Sequence, residues 1–222
     1  MPKSSTTAIS KDEPTGGDLA VASGSHAQGE FNTSDIIMPE LRLAQGAGSW
    51  GDWPKGQLVV DNEYEIKKPA TITVLSYKKS YVEYIPFGSD ETSRFFDTEA
   101  ELVEAGLTLK WIDGQRPSAN ALMDTMICVH GGKDADPIEF PYEFEDGRYL
   151  FCAWRIKGTS YASAAKPIVT ADSTFLKNNI RGGSFTMEPK KVDGQKGSYW
   201  VNTLKRDELN SPEFQEFLAE FM

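Results

Sequence analysis

The sequence predicts a β-rich α+β fold, a partly open antiparallel barrel with one or two helices. The first indication is a series of seven or more short segments, rich in β-branched and aromatic residues and separated by turn signals. The second is that clear helix start signals occur only twice. The chain has 222 residues, 39% of them hydrophobic and 25% charged. That length allows a substantial core, and the composition is that of an ordinary globular protein.

The chain divides into three predicted parts. Residues 1–33 contain almost no large apolar side chain, and we expect a disordered N-terminal arm there. Residues 34–206 form the predicted folded domain, and residues 207–222 an acidic, amphipathic C-terminal tail or helix. The N-terminus lacks the apolar stretch of a secretory signal, and the apolar runs are too short to cross a membrane. Two cysteines, Cys128 and Cys152, fit a reducing compartment.

The strands predicted in the first half are short. Near Trp50 and Trp53 the chain is glycine-rich and is expected to be an exposed loop. A capping box made by Thr98 and Glu101 starts a helix over residues 98–105, and Gly106 ends it. The predicted strands are Leu58–Val60, Tyr64–Ile66, a hairpin of Ala70–Tyr77 and Ser80–Phe87 with Lys78 and Lys79 at its tip, Leu107–Ile112, and Leu122–Val129. Residues 131–146 are acidic and are expected to form a long loop or an edge excursion.

Tyr149–Lys157 is the strongest strand signal in the second half. Leu150, Cys152, Trp154 and Ile156 alternate with Tyr149, Phe151, Ala153 and Arg155. The small residues that follow suit a helix, which Pro167 is expected to interrupt or restart. Ser184–Lys191 and Ser198–Leu204 predict a hairpin with its turn at residues 192–197. Ser211 and Pro212 start a C-terminal helix whose apolar stripe is Phe214, Phe217, Leu218 and Phe221.

Charge is distributed very unevenly along the chain. The net charge is −10, yet residues 148–206 carry a net +8 while residues 83–147 carry −11 and residues 207–222 carry −5. Such asymmetry is a recognised indication of nucleic-acid contact. The alternative is that the acidic and basic segments pair within the fold.

Motifs for common enzyme chemistry are missing from the sequence. There is no P-loop and no G-x-S-x-G motif, and two histidines exclude a histidine-rich metal site. We therefore expect a protein that is not an enzyme and uses no cofactor or metal. The alternative would be a small enzyme in which Cys128 is a thiol nucleophile beside His130.

The basic segment also contains eight aromatic residues, the combination that single-strand binding needs. Lysine and arginine neutralise phosphates, and flat rings stack on bases. About half of these rings are expected in the core, and Trp154 shares its face with core candidates. The acidic tail would either compete for the basic groove or pack on the domain as a helix. The candidate DNA-binding residues are Lys78, Lys79, Tyr149, Trp154, Arg155, Lys157, Tyr161, Lys166, Arg181, Lys190, Lys191, Tyr199, Trp200 and Lys205.

Several stretches resemble proteins from the replication and recombination regions of tailed phages. They are residues 38–46, 55–57, 79–84, 155–160 and 164–166. The resemblance covers most of residues 35–206 and implies an OB-type fold that binds single-stranded DNA. Some relatives carry paired cysteines in the middle of the chain. Here only Cys128 lies there, so no zinc site is implied.

The sequence thus predicts a single-stranded-DNA-binding protein with an OB-like barrel, acting in phage replication or recombination. Its expected location is the cytoplasm, that of the host if a phage encodes it. A replication or recombination protein could dock on the C-terminal tail, the protein could form a homo-oligomer, and no membrane contact is expected. The alternative is a virion or assembly protein whose β-rich domain contacts only other proteins.

Overall fold

The computed structural model describes residues 37–46, 51–86, 89–194 and 197–221. The predicted arm at residues 1–33, Trp50, Phe87 and part of the predicted turn at residues 192–197 lie outside the described residues. Ten strands form one sheet. They are β1 (Glu40–Leu43), β2 (Leu58–Val60), β3 (Tyr64–Ile66), β4 (Ala70–Glu83), β5 (Phe95–Phe96), β6 (Ala119–Gly132), β7 (Tyr142–Phe144), β8 (Gly147–Lys157), β9 (Gly183–Gly194) and β10 (Gly197–Leu209).

The sheet curls into an open half-barrel. Its strand order is β10-β9-β4-β6-β8-β1-β2-β3, with β5 added to β4 and β7 added to β8. The pairings are antiparallel except that of β1 with β8. The predicted β-rich fold with a partly open, curled sheet and few helices is therefore confirmed.

Two predictions about the first half are wrong. Lys78 and Lys79 do not tip a hairpin, because β4 runs straight through them and pairs with β6 on both sides. The lysine pair has no glycine, asparagine or proline to reverse the chain, and strand-forming residues flank it. The predicted strand at Leu107–Ile112 is an irregular segment with one isolated bridge, between Ile112 and Gln115. Asp113 and Gly114 both have positive φ there and turn the chain.

The predicted alternation of β8 is confirmed by the two cores on either side of the sheet. Leu150, Cys152, Trp154 and Ile156 belong to the larger core, on what we call the inner face. Phe151 and Tyr149 belong to the second core, on the outer face, together with Cys128. The two cysteines thus lie on opposite faces of the sheet, and both are free thiols.

A central helix, residues 159–175, packs on the inner face. It places Ala164, Ala165, Ile168 and Ala171 in the larger core. Pro167 stands in the first turn of α2 (Lys166–Thr170), and π-helical turns precede and follow α2 at Tyr161–Ala165 and Ala171–Phe175. Proline removes one helical hydrogen bond and crowds the preceding turn, and wider turns relieve that crowding. Helical structure therefore continues past Pro167.

Two short helices were correctly located by their caps. Thr98 accepts a hydrogen bond from the Glu101 N–H at the start of α1 (Glu99–Glu104), and Gly106 follows the helix with φ of 77°. Ser211 accepts a hydrogen bond from the Phe214 N–H at the start of α3 (Pro212–Ala219). Leu102 of α1 anchors a third, small core with Tyr81 and Ala119.

The C-terminal helix packs on the outer face of the sheet. Phe214 and Leu218 are buried there against Leu75, Cys128 and Phe151. The rings form a continuous cluster, with Phe151 and Phe221 stacked at a centroid distance of 4.1 Å and Phe144 and Phe217 stacked at 4.9 Å. The acidic residues at 207 and 208 precede this helix and are the end of β10. The sequence left two alternatives for the tail, competition for the basic groove or packing on the domain as a helix. In this structure α3 packs on the domain.

Candidate nucleic-acid interface

The half-barrel has a seam where its sheet fails to close. Strand β10 is one edge of the sheet. Strand β1 pairs with β8 only through Glu40 and Leu41, opposite Ala153 and Trp154. Beyond Trp154 the two strands separate, and the curl of the sheet brings β10 towards the gap. The seam is therefore bounded by β1, the end of β8 and β10.

Side chains, rather than a neighbouring strand, satisfy the β10 backbone along this seam. The Gln45 amide pairs with Trp200, accepting from its N–H at 3.0 Å and donating to its carbonyl at 2.8 Å. Two residues further on, the Asn202 N–H donates to Ser160 Oγ at 3.3 Å, and Ser163 Oγ donates to the Asn202 carbonyl at 2.6 Å. Unpaired edge groups normally invite another strand. Here the backbone N–H and carbonyl groups of Trp200 and Asn202, which face away from β9, are already hydrogen-bonded.

The seam encloses a cleft of about 650 Å³, within the range of ligand sites. We call it the seam cleft. It is lined by Glu40–Leu43, Gln45, the end of β8, the first residues of the central helix and β10 residues 199–202. Five predicted DNA-binding residues from two parts of the sequence, the end of β8 and the start of β10, meet here. They are Trp154, Arg155, Lys157, Tyr199 and Trp200.

The aromatic side chains of the seam cleft are held in place. Trp154 is only 3% exposed and belongs to the inner core, so it forms part of the cleft floor. Trp200 is half-buried and its ring lies on Gly56, where an added Cβ would come within 2.6 Å of the ring. Tyr199 Oη lies 3.2 Å from Thr159 Oγ1. The lining of the cleft thus includes two half-buried rings and one buried ring.

Cationic groups surround these rings. Arg155 Nε contacts Asp124 Oδ1 at 2.7 Å, and both side chains are about half exposed. Arg42 pairs with Glu40, and this hydrogen bond raises the pKa of the Arg42 guanidinium. Lys157 is exposed and makes no ion pair within the described residues. Exposed ion pairs contribute little to stability, so a phosphate can replace the carboxylate partners at small cost.

The remaining predicted residues do not gather in one groove. Lys78 Nζ contacts Asp97 Oδ1 at 2.8 Å, and this hydrogen bond raises the pKa of Lys78. Lys79 Nζ lies 5.0 Å from the centroid of the Tyr81 ring. Tyr149 contacts Phe214 in the outer core, and Tyr161 packs against the inner core. Tyr149 and Tyr161 thus lie in other parts of the fold, whereas Lys78 is opposite Asp124, the ion-pair partner of Arg155, on the same face of the sheet.

Strand alternation separates the basic pairs of the last hairpin. Lys191 is opposite Trp200 and shares its inner side of the hairpin, whereas Lys190 is opposite Val201 and points the other way. By the same alternation Lys205 lies on the outer side and Arg206 on the inner side. Arg181 is in a short 3₁₀ turn, where its carbonyl accepts from Asn210 Nδ2 at 2.7 Å. Lys166 lines a separate, second pocket.

The interface also includes residues that were not predicted as site residues. Gln45, Ser160 and Ser163 satisfy the β10 edge, and Arg42 lines the cleft. The pairing of Gln45 with Trp200 joins residues 155 positions apart, so no local pattern could have indicated it. Arg42, in a strand whose Leu41 is buried, could have been found from alternation alone.

The Cys128–His130 pair lies in the outer core. Burial raises the pKa of Cys128 well above its usual value, and burial lowers the pKa of His130 to about 4. His130 Nε2 lies 3.0 Å from Thr73 Oγ1, and its ring meets Tyr149 and Phe214 edge-on. A thiol nucleophile must be present as the thiolate. The Cys128 environment favours the neutral thiol instead.

No family model, curated protein or solved structure matches this chain. Over the part of the chain that the structure describes, no helix is long and apolar enough to cross a membrane.

Proposed function

We propose that this protein binds single-stranded DNA through the seam cleft. The observation that carries the proposal is the convergence of Tyr199 and Trp200 with Arg155 and Lys157 around one opening. Rings bind bases without regard to sequence, and cations neutralise the phosphates between them. The phage context and the OB-type architecture belong to this proposal and rest on the sequence resemblance.

The hydrogen bonds already made by the backbone of β10 indicate which kind of ligand the cleft can bind. Because Gln45, Ser160 and Ser163 already pair with the β10 backbone, an extended peptide has no free hydrogen-bonding groups at residues 200 and 202. The seam is therefore poorly suited to strand addition by a protein partner. Its side chains remain available to a ligand that stacks and carries negative charge.

The direct test is fluorescence anisotropy with a labelled single strand and the matching duplex. We expect binding at about 50 mM salt, a preference for the single strand, and a log–log salt slope near −0.7 per neutralised phosphate. Equal affinity for both forms, or no binding at that salt concentration, would refute the proposal.

A charge-matched pair of variants assigns the binding to the cleft. Lys157→Gln removes an exposed cation from the cleft, whereas Lys110→Gln removes an exposed cation in the acidic part of the chain. We expect Lys157→Gln to weaken binding and to reduce the salt slope by about 0.7, with Lys110→Gln unchanged. Identical effects of the two variants would argue that only net charge matters.

A second candidate, a virion or assembly protein, is favoured by a different observation. Phe95, Val103, Trp111 and Ile112 are all more than half exposed and flank the small core of α1. Exposed apolar side chains of this kind mark protein contacts when they form a patch. Concentration-dependent self-association that Trp111→Ser abolishes, together with no DNA binding, would favour this candidate over the first.

A further inference from the structure

A second pocket lies along the central helix, between Ala162 and Phe175. It has a volume of about 410 Å³ and is lined by Lys166, Pro167, Thr170, Phe175 and Arg206, among others. Phe175 is 54% exposed, which is unusual for a phenylalanine at the end of a helix packed on a core. The Arg206 guanidinium lies 4.2 Å from the centroid of the Phe175 ring. The pocket thus contains a cation already stacked on an accessible ring.

Neither cation of this pocket is neutralised by a carboxylate. Lys166 and Arg206 make no ion pair within the described ranges. The acidic residue of the adjoining helical turn, Asp172, accepts a hydrogen bond from Tyr77 Oη at 2.7 Å and is directed towards the sheet. Asp207 follows Arg206 but accepts from Thr186 Oγ1, on the other side of the strand. The local charge facing the pocket is positive.

Two elements connect the second pocket to the seam cleft. The central helix has Ser160 at the cleft, and its residues from Ala162 to Phe175 line the second pocket. Strand β10 has Trp200 at the cleft and Arg206 at the second pocket, a distance of about 20 Å along a strand. The Phe175–Arg206 stack of the second pocket is therefore separated from Trp200 by about 20 Å along β10.

We propose that the second pocket binds a further nucleotide of the strand that occupies the seam cleft. Lys166 and Arg206 take the phosphate, and the base extends the stack that Arg206 and Phe175 already form. This inference rests on the proposed function. About 20 Å corresponds to roughly six nucleotides at the 3.4 Å spacing of a stacked strand. Strands too short to extend from Trp200 to the Phe175–Arg206 stack should therefore bind without contacting that stack.

The test measures affinity as a function of strand length. Labelled oligothymidylates of about three and about twelve nucleotides are titrated into the full chain and into Phe175→Ala and Arg206→Gln variants. Each variant is expected to weaken binding of the long strand about 10-fold or more and to leave the short strand within about twofold. Ile138→Ala, which removes another exposed apolar side chain, is the control and should change neither affinity.

The outcomes separate this inference from the proposed function. Unchanged affinity of both variants for the long strand, or equal losses at both lengths, overturns the second site while the cleft proposal stands. Absence of binding by the unmodified protein at about 50 mM salt overturns both. Because Phe175 and Arg206 are exposed, both variants should keep the thermal melting temperature of the parent, which is measured in parallel.

Discussion

Gln45 closes the open side of the half-barrel by pairing with the backbone of Trp200 as a neighbouring strand residue would. Its amide makes one accepting and one donating hydrogen bond, at 3.0 and 2.8 Å. The residue follows Ala44, whose N–H donates to the Gln57 carbonyl and whose carbonyl accepts from the Gly56 N–H, so the chain here is anchored on the β1–β2 side of the seam. A single side chain thus connects the first part of the described fold to its last strand.

Gln45→Ala should lower the free energy of unfolding by about 1–2 kcal/mol. Two hydrogen bonds are lost, and the Trp200 N–H and carbonyl must find water instead. Urea unfolding followed by circular dichroism measures the change. Gln115→Ala, which truncates an exposed glutamine of an irregular loop, serves as the control and should stay within about 0.5 kcal/mol. Equal effects of the two variants would mean that the Gln45 pairing contributes nothing measurable.

Gly56→Ala should destabilise the fold more than Gly114→Ala. Both glycines have positive φ, 81° and 76°, so alanine carries a similar backbone penalty of about 1 kcal/mol at each. Only at Gly56 would the new Cβ meet a ring, that of Trp200 at 2.6 Å; at Gly114 nothing lies within 4 Å. We expect a further loss of about 1–3 kcal/mol for Gly56→Ala. Tryptophan emission should change in that variant alone, and indistinguishable stabilities would contradict the packing of Trp200 on Gly56.

Stability should fall as the pH decreases from about 6.5 to 4. Burial lowers the pKa of His130 to about 4, whereas an unfolded histidine titrates near 6.5. Between these two pKa values the unfolded chain binds a proton that the folded chain does not. The contribution of neutral His130 to the free energy of unfolding is therefore complete above pH 6.5 and is lost as the pH falls from 6.5 to 4. The loss amounts to about 2–3 kcal/mol. In His130→Gln the pH dependence of the unfolding free energy across this window should flatten, and an unchanged slope would assign the effect to other groups.

The outer-face packing of α3 predicts a large difference between two leucine truncations. Leu218 is fully buried against the sheet, whereas Leu209 is 74% exposed at the end of β10. Leu218→Ala should cost about 2–5 kcal/mol, and Leu209→Ala less than about 0.5 kcal/mol. Thermal melting of both variants provides the comparison. A similar small loss in both would indicate that α3 contributes little to the folded state, as a detached tail would.

Several predictions that depended on local chemistry are confirmed. Strands β2 and β3 have the predicted bounds, the caps at Thr98 and Ser211 start helices, and alternation assigned the faces of β8. Each of these signals is contained within a few residues. The wrong hairpin at Lys78 and Lys79 shows the limit of the approach, because only pairing with β6 determines that the strand continues there.

The candidate site was only partly predictable because its assembly is non-local. Composition indicated the basic aromatic segment, and five of its residues meet at the seam. Which of Lys190 and Lys191 lies on the inner side, and the burial of Trp154 beside the half-buried Trp200, depend on which face the curled sheet turns inward. Curvature of a whole sheet is not encoded in any window of neighbouring residues.

The hydrogen-bonded backbone at Trp200 and Asn202 also affects how the protein aggregates at high concentration. Amyloid fibrils and other β-sheet polymers grow when the exposed edge strand of one molecule pairs with a strand of the next molecule. At these two residues Gln45, Ser160 and Ser163 occupy the positions that an incoming chain would need. Many copies can therefore accumulate side by side without their sheets fusing at this point of β10.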